Sequence, residues 1–321
     1  MGKELLLEIG TEEIPAAFLP KAMADMDELI RKALSGERIS HGEVKTLATP
    51  RRLCLCVAEV AETQEDQVIE KIGPTRKAAF DDQGNPTKAA IGFAKGQGIE
   101  LAAVEIVQTD KGEYLCARKT IAGGSVADLL PSLLAKFITT IPFKKSMRWS
   151  NLEIRFARPI HWILALFGGE VIPFRLENIR SGSTSRGHRF LSPDPFPVAG
   201  YDDYLEKTRR AGVIVDPEER KRIIREEAAL AAGSVAGYPL ITDDLLETVA
   251  FLVECPTAVC GGFDPEYLKL PREVLTTTMM SHQKYFPVVD GGGKLLPHFI
   301  TINNTPARDP SIVTRGNEKV I

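Results

Sequence analysis

Apolar residues recur along this chain with two different spacings, and the spacing predicts where helices and strands fall. KELLLEIG near the start is a compact apolar run that reads as a strand. Phe18, Met23, Met26, Ile30 and Leu34 then recur at roughly helical spacing and predict a helix reaching about Leu34. Thr11, Glu12, Glu13 and Pro15 supply a polar cap, acidic side chains facing the helix dipole and a proline in the first turn. On that reading the two glutamates are helix-start charge rather than a paired-carboxylate site. Residues 44–47 and 53–60 read as strands around the connector ATPRR, and a β-α-β-β order suggests an α+β layer with helices on one face. From 62 to about 84 the chain is charged and without a clean period, so a loop is expected. KAAIGFAKGQG is a short helix closed by glycine, GEYLCARKTI is a strand, and 127–138 is an amphipathic helix with Pro131 in its first turn.

The second half repeats the mixture. IHWILALF and EVIPFRL flank Gly168 and Gly169, a hairpin signal with a two-residue turn. Helices are expected at 201–210 and 218–232, the second opened by Pro217 after Asp216. Residues 248–253 read as a strand, and 284–289 with 295–303 as a second hairpin joined by Gly291 to Gly293. Arg315 to Lys319 reads as a helix start capped by Asn317, and the sequence stops at Ile321 within its first turn. One turn cannot stand alone, so an N-terminal piece of a longer protein is expected. The resulting division is an α+β domain over 1–141, a second α+β domain over 142–307, and the beginning of a helical region over 308–321.

Charge sharpens this picture. The whole chain carries a net charge of −3, yet the stretch from Phe143 to Phe190 holds nine basic side chains against three acidic ones. A locally basic segment in an acidic chain can hold a phosphate-bearing partner. Within it, FKKSMRW contributes Lys144, Lys145 and Arg148, and NIRSGSTSRGHRF contributes Arg180, Arg186, His188 and Arg189 among small and hydroxyl residues. Small residues let a ligand approach the backbone, and hydroxyl and guanidinium groups suit phosphate oxygens. The same segment also reads as a solvated loop. His282 and Lys284, in SHQKYF, are further candidates for contact with RNA. Arg51 and Arg52 after Pro50 suit a phosphate contact or a solvated turn, and the mixed charges around Arg220 suit a solvated ion-paired face.

Several chemistries find no support. The five cysteines are odd in number and scattered, which fits buried free thiols, with neither a disulfide framework nor a zinc spacing. Gly92, Gly96 and Gly98 lie within and at the end of a helix rather than in a phosphate loop. The start of the chain has no signal-peptide pattern, and no apolar run approaches a membrane span. Walker A, HExxH and GxSxG motifs are absent from the sequence. FRLE at 174–177 matches the short arginine motif of class II synthetases but lacks a partner strand, so it is read as a hairpin strand. His188 and His282 can titrate near neutrality, yet no carboxylate or nucleophile is tied to either by spacing. No residue is assigned as catalytic and none as a metal ligand.

The chain as a whole resembles a known family. LLLEIGTEEIPAAFLP, ATPRRL, GFAKGQG, KGEYL, IPFKKSMRW, FARPIHWILALF, SGSTSRGHRF, LVECPTAVCGGFD, LPREVLTTTMMSHQKYFPV and RGNEKV occur in the order found in the β subunit of bacterial glycyl-tRNA synthetase. The resemblance implies a cytoplasmic α2β2 enzyme that joins glycine to tRNA(Gly). Its α subunit holds the class II site that uses ATP with magnesium, and its β subunit binds tRNA and is needed for activity. It also implies that the second domain is similar to the B3/B4 module of the phenylalanyl-tRNA synthetase β subunit, and that helical and anticodon-binding domains follow. The partners implied are the α subunit and tRNA(Gly), with neither DNA nor a membrane, and no cofactor is expected in this part of the chain. Two rivals stand beside this reading. One is a hydrolytic editing pocket using His188, His282 or Glu254 to position water against an aminoacyl ester; the other is a scaffold touching only the α subunit and later β domains. Proofreading by size works poorly for glycine, the smallest amino acid.

Overall fold

The structure, a computed structural model, describes residues 2–306 and 309–320. Its first half runs β1 (Lys3–Thr11), α1 (Leu19–Gly36), β2 (Val44–Thr49), β3 (Arg52–Val60), β4 (Gln67–Thr75), α2 (Arg76–Ala79), α3 (Lys88–Gln97), β5 (Val104–Thr109), β6 (Gly112–Ile121) and α4 (Val126–Thr140). Then come β7 (Ile160–Phe167), β8 (Glu170–Val171), β9 (Arg175–Leu176), β10 (Ile179–Gly182), β11 (Thr184–Arg186), β12 (Pro195–Pro197) and α5 (Tyr201–Arg210). The last part holds α6 (Pro217–Gly233), β13 (Tyr238–Pro239), α7 (Asp243–Ala250), β14 (Thr257–Gly262), α8 (Arg272–Thr277), β15 (Phe286–Val289), β16 (Leu295–Asn303) and α9 (Pro310–Glu318). The mixture is α+β, as expected.

The pleat of β1 organises the first layer. Leu5, Leu7 and Ile9 enter one apolar cluster with α1 and α4, whereas Leu6 enters another with Cys54, Cys56, Leu164, Leu166 and Tyr204. A strand buried on both faces needs no polar alternation, so LLLEIG reads as a nearly unbroken apolar run. Helices accordingly cover both faces of this sheet, not one: α1 and α4 on one side, α5 with Val213 and Val215 on the other. The strand order is β2-β3-β1-β7-β10-β9, with β8 paired to β7. β1 runs antiparallel to β3 and to β7, while β10 runs parallel to β7. A division at residue 142 therefore crosses a sheet, because β7 lies beyond it and pairs with β1 from Leu5↔Phe167 to Thr11↔Ile160. The boundary expected between 307 and 308 lies outside the described residues.

The hairpin across Gly168 and Gly169 is present but short. Both glycines have positive φ, 57° and 84°, as a tight turn of this hand requires, and only Glu170 and Val171 continue against β7. Between β3 and α4 a smaller unit is built from the antiparallel sheet β4-β6-β5, with α2 and α3 packed on it through Ala79, Ala90 and Leu115. Its strand β4 occupies much of the stretch expected to be a loop. Val68 and Ile72 on that strand remain largely exposed, so pairing with β6 holds β4 without a buried face to mark it.

The second layer is the sheet β13-β15-β16-β14. Ile224, Ala228 and Ala232 of α6 and Leu246 and Val249 of α7 pack on one side with Phe286, Val288 and Ile300. Leu275, Met279, Tyr285 and Phe299 form a separate cluster. β15 and β16 are the expected second hairpin. Residues 248–253 are not a strand: α7 runs to Ala250, capped by the Thr242 hydroxyl accepting from the Leu245 N–H. α6 starts where the sequence places it, with Pro217 first and the Asp216 carboxylate accepting from the Glu218 N–H at 2.8 Å. α9 is capped by Asp309, whereas Asn317 lies near its other end and accepts from the Tyr285 hydroxyl at 2.7 Å.

Candidate functional site

A buried ionic network ties the two layers together. Arg52 on β3 is fully buried, with Nη1 donating to Glu8 Oε1 at 3.0 Å and Nε to Glu254 Oε1 at 3.1 Å. Glu8 also accepts from Trp162 Nε1 at 2.8 Å and from the Tyr204 hydroxyl at 3.0 Å, and Glu254 accepts from the Thr49 hydroxyl at 2.6 Å. Burial alone lowers the Arg52 pKa, but the Glu254 and Glu8 carboxylates more than restore it and hold it above the usual value. Arg220 on α6 is buried as deeply and donates to the carbonyls of Ala48, Ile214, Val215 and Ala250 at 2.7 to 2.9 Å. Burial lowers its pKa to about 10. Arg52 is thus neither a phosphate contact nor a solvated turn, and Arg220 is not part of a solvated face.

Beside this network other arginines reach solvent. α1 has no acidic residue in its first turn, so Glu12 and Glu13 do not serve as helix-start charge. They gather cations instead: Glu13 pairs with Arg189 and lies 3.8 Å from Arg51, and Glu12 meets His161 at 2.9 Å and Arg189 at 3.6 Å. Arg158 Nε donates to the Glu13 carbonyl at 3.1 Å. Burial pushes the Glu13 carboxyl up, and the hydrogen bond and charge of Arg189 overcome that and leave it below the ordinary range. The Arg186 guanidinium stands 6.0 Å from the Trp162 ring centroid, beside Arg51 at 5.9 Å. His161, Asn178, Arg180 and Thr184 line an adjoining cleft of about 350 Å³. Arg51, Arg158 and Arg189 thus gather at Glu12 and Glu13, with Arg186 over the neighbouring Trp162 and Arg180 in the adjoining cleft, so arginines outnumber these two carboxylates on this side of the molecule.

The candidates chosen from sequence divide into groups. Arg180 on β10, Arg186 at the end of β11 and Arg189 in the following turn are exposed and share this surface. Lys144 lies between α4 and β7 with Lys145 and Arg148, on a segment anchored by Phe143 against Phe18 and Phe156 at ring separations of 6.4 and 4.8 Å. Arg148 there pairs with Glu153 at 3.4 Å. His282 closes the second layer's turn Thr278–Gln283, and Lys284 follows it with φ 60° and Nζ donating to the Ser281 carbonyl at 2.8 Å. Among the described residues, no hydrogen bond or ion pair joins these two groups to the arginine surface.

His188 is a correction. Its side chain is fully buried, so it presents no ring to a nucleic acid; Nδ1 accepts from the Phe190 N–H at 3.3 Å. Burial lowers its pKa against the pull of Glu254. Glu254, the carboxylate offered for positioning water, is itself buried and accepts from Arg52 and Thr49 through Oε1, with Oε2 sealed from solvent and without a hydrogen-bond partner among the described residues. The cysteines are free thiols, with burial pushing Cys56 up to about 12, and no three potential metal ligands cluster among the described residues. Sequence reasoning missed Glu12, Glu13, Arg158 and His161 as members of the surface. Their only signal is that they flank strand ends, and the pairing of β1 with β7 is what brings them together.

The geometry defines an α+β protein with an ion-paired interior and an exposed face that carries several arginines. Residues 5–321 match the model of the family described as glycyl-tRNA synthetase beta subunit, and the chain belongs to that family. It is 67% identical over 321 residues to the glycine–tRNA ligase beta subunit of Syntrophus aciditrophicus (strain SB), covering 100% of this chain and 46% of that protein. It is 54% identical over the same 321 residues to the protein of that name from Geobacter sulfurreducens, covering 100% of this chain and 47% of that one. The chain therefore spans about half the length of the curated relatives it matches.

Proposed function

We propose that this chain is a tRNA-binding and assembly part of glycyl-tRNA synthetase, acting with a catalytic α subunit that attaches glycine to tRNA(Gly) using ATP and magnesium. The observation that carries the reading is the exposure of Arg180, Arg186 and Arg189 beside the partly buried Arg51 and Arg158, where Glu12 and Glu13 offset only part of the positive charge. Guanidinium groups so arranged suit the phosphates of a tRNA backbone and fix its position rather than read its sequence. Lys144, Lys145, Arg148, His282 and Lys284 belong to the reading as contacts further along the same tRNA or with the α subunit. The similarity of residues 142–307 to the B3/B4 module is part of this proposal. Burial of His188 and Glu254 removes two of the three residues that a hydrolytic pocket would use, so binding is favoured over editing.

The test uses the complete β chain purified with its α subunit. Replacing Arg180, Arg186 and Arg189 with alanine is expected to weaken binding of tRNA(Gly) and to flatten the dependence of log K on log salt by about one unit for each phosphate that no longer meets a cation. An unchanged salt slope would sink the reading. Capture of the α subunit by the same variant, measured in parallel, separates the assembly role from the tRNA contact.

A further inference from the structure

Phe190 is 75% exposed, beside the arginine surface. It sits at the tip of the connection between β11 and β12, which pair antiparallel from Thr184↔Pro197 to Arg186↔Pro195. The tip is held from below. The His188 N–H donates to the Ala211 carbonyl at 2.9 Å, the Ser192 N–H closes the turn on the His188 carbonyl at 2.9 Å, and the buried His188 ring accepts from the Phe190 N–H. Gly187 allows the turn to fold this tightly, because a Cβ there would collide with the Ser192 carbonyl oxygen and the Ala211 side chain. Arg189 lies over the Phe190 ring at 5.6 Å from its centroid, and its guanidinium is itself fixed by Glu13 and Glu12. The ring also approaches the His188 ring at 6.0 Å between centroids, yet most of its surface stays in water, so it adds little to the fold.

We propose that Phe190, backed by Arg189, is a stacking platform for an unpaired base of the RNA held by the arginine surface. The inference rests on the tRNA-binding reading and names what that site takes beyond phosphate. Aromatic rings and guanidinium planes are what unpaired RNA bases stack on, and bases inside a duplex offer no free face. The surrounding excess of arginine favours RNA over a protein partner. Because every base has a π-face, the platform tolerates any of the four bases.

The experiment uses the complete β chain with its α subunit and titrates tRNA(Gly) at several salt concentrations. Phe190→Ala is expected to weaken binding about tenfold with the salt slope unchanged, while Phe190→Tyr stays within about twofold of the parent. Phe190→Trp adds an indole whose fluorescence tRNA should quench beyond the change seen in the parent. If Phe190→Ala binds like the parent while the triple arginine variant flattens the slope, stacking is overturned and the tRNA reading stands. If neither variant changes binding, both fall. Loss of α-subunit capture by Phe190→Ala with tRNA affinity intact makes the ring a protein contact and also overturns the proposal.

Discussion

Arg52 carries its charge in full burial because two carboxylates, Glu8 and Glu254, reach it from strands and loops 44 and 202 residues away in sequence. Removing one member of such a group leaves the others charged and unpaired out of water. Arg52→Ala is expected to cost about 3–5 kcal/mol in urea unfolding, and Arg52→Lys less, since an ammonium keeps the charge but not the fork that serves both acids. A loss below about 1 kcal/mol for the alanine variant would mean that the network behaves like a surface pair. His188 gives a second test. Its folded pKa is depressed by burial, next to Glu254, Arg51 and Arg52. The unfolded chain then binds the proton more readily, so this contribution is complete above about pH 6.5 and is lost as pH falls through that value toward the folded pKa. His188→Asn, whose amide oxygen can take the place of Nδ1, should show a smaller fall in urea midpoint between pH 7 and pH 5 than the parent. An identical pH slope in the two proteins would exclude the histidine as the cause.

A buried apolar face makes an element visible in the sequence, though it does not always settle helix against strand. α1 shows Met26, Ile30 and Leu34 on one buried stripe, which marks the helix and its end, although it starts at Leu19 and not at the Thr11–Pro15 entry; α6 shows Asp216 and Pro217 at its start and is placed from the sequence to within a residue or two. β4 leaves no such mark because none of its residues is buried. α7 imitates a strand because Val249, Phe251 and Val253 look β-branched and aromatic, while the helix is settled upstream by Leu245 and Leu246 packing with α6. For the site, a basic segment is visible as composition, and Arg180, Arg186 and Arg189 follow from it. What composition cannot supply is which way a side chain points. His188 and Phe190 are two residues apart, yet one is sealed inside and the other faces water, and only the turn closed on the Ala211 carbonyl decides that. The acidic partners Glu12 and Glu13 are hidden for the same reason, since a sheet register brings β1 and β7 side by side.

At the scale of the molecule, the small sheet β4-β6-β5 behaves as an insertion in the first layer. It leaves and rejoins at one place: Thr63 bridges Ser125, the Gln64 N–H donates to the Gly124 carbonyl at 2.9 Å, and the Val126 N–H donates to the Glu62 carbonyl at 2.9 Å. Its own cluster of Ala79, Ala90 and Leu115 shares no residue with the core under β1. Closing a short loop across neighbouring ends costs little chain entropy. Replacing residues 66–122 with a short glycine-serine linker is therefore expected to leave a chain that unfolds in one cooperative step, within about 2 kcal/mol of the parent by urea titration. Binding of tRNA(Gly) should persist in the shortened chain assembled with its α subunit, because Arg180, Arg186 and Arg189 lie outside the excised segment, as do Glu12 and Glu13, which pair with Arg189. Aggregation or a broad, non-cooperative transition would show instead that the small sheet is part of the main folding unit. Intact folding with tRNA binding abolished would move the nucleic-acid contact onto the insertion, whose exposed Val68, Ile72 and Ile106 would then be the residues to replace first.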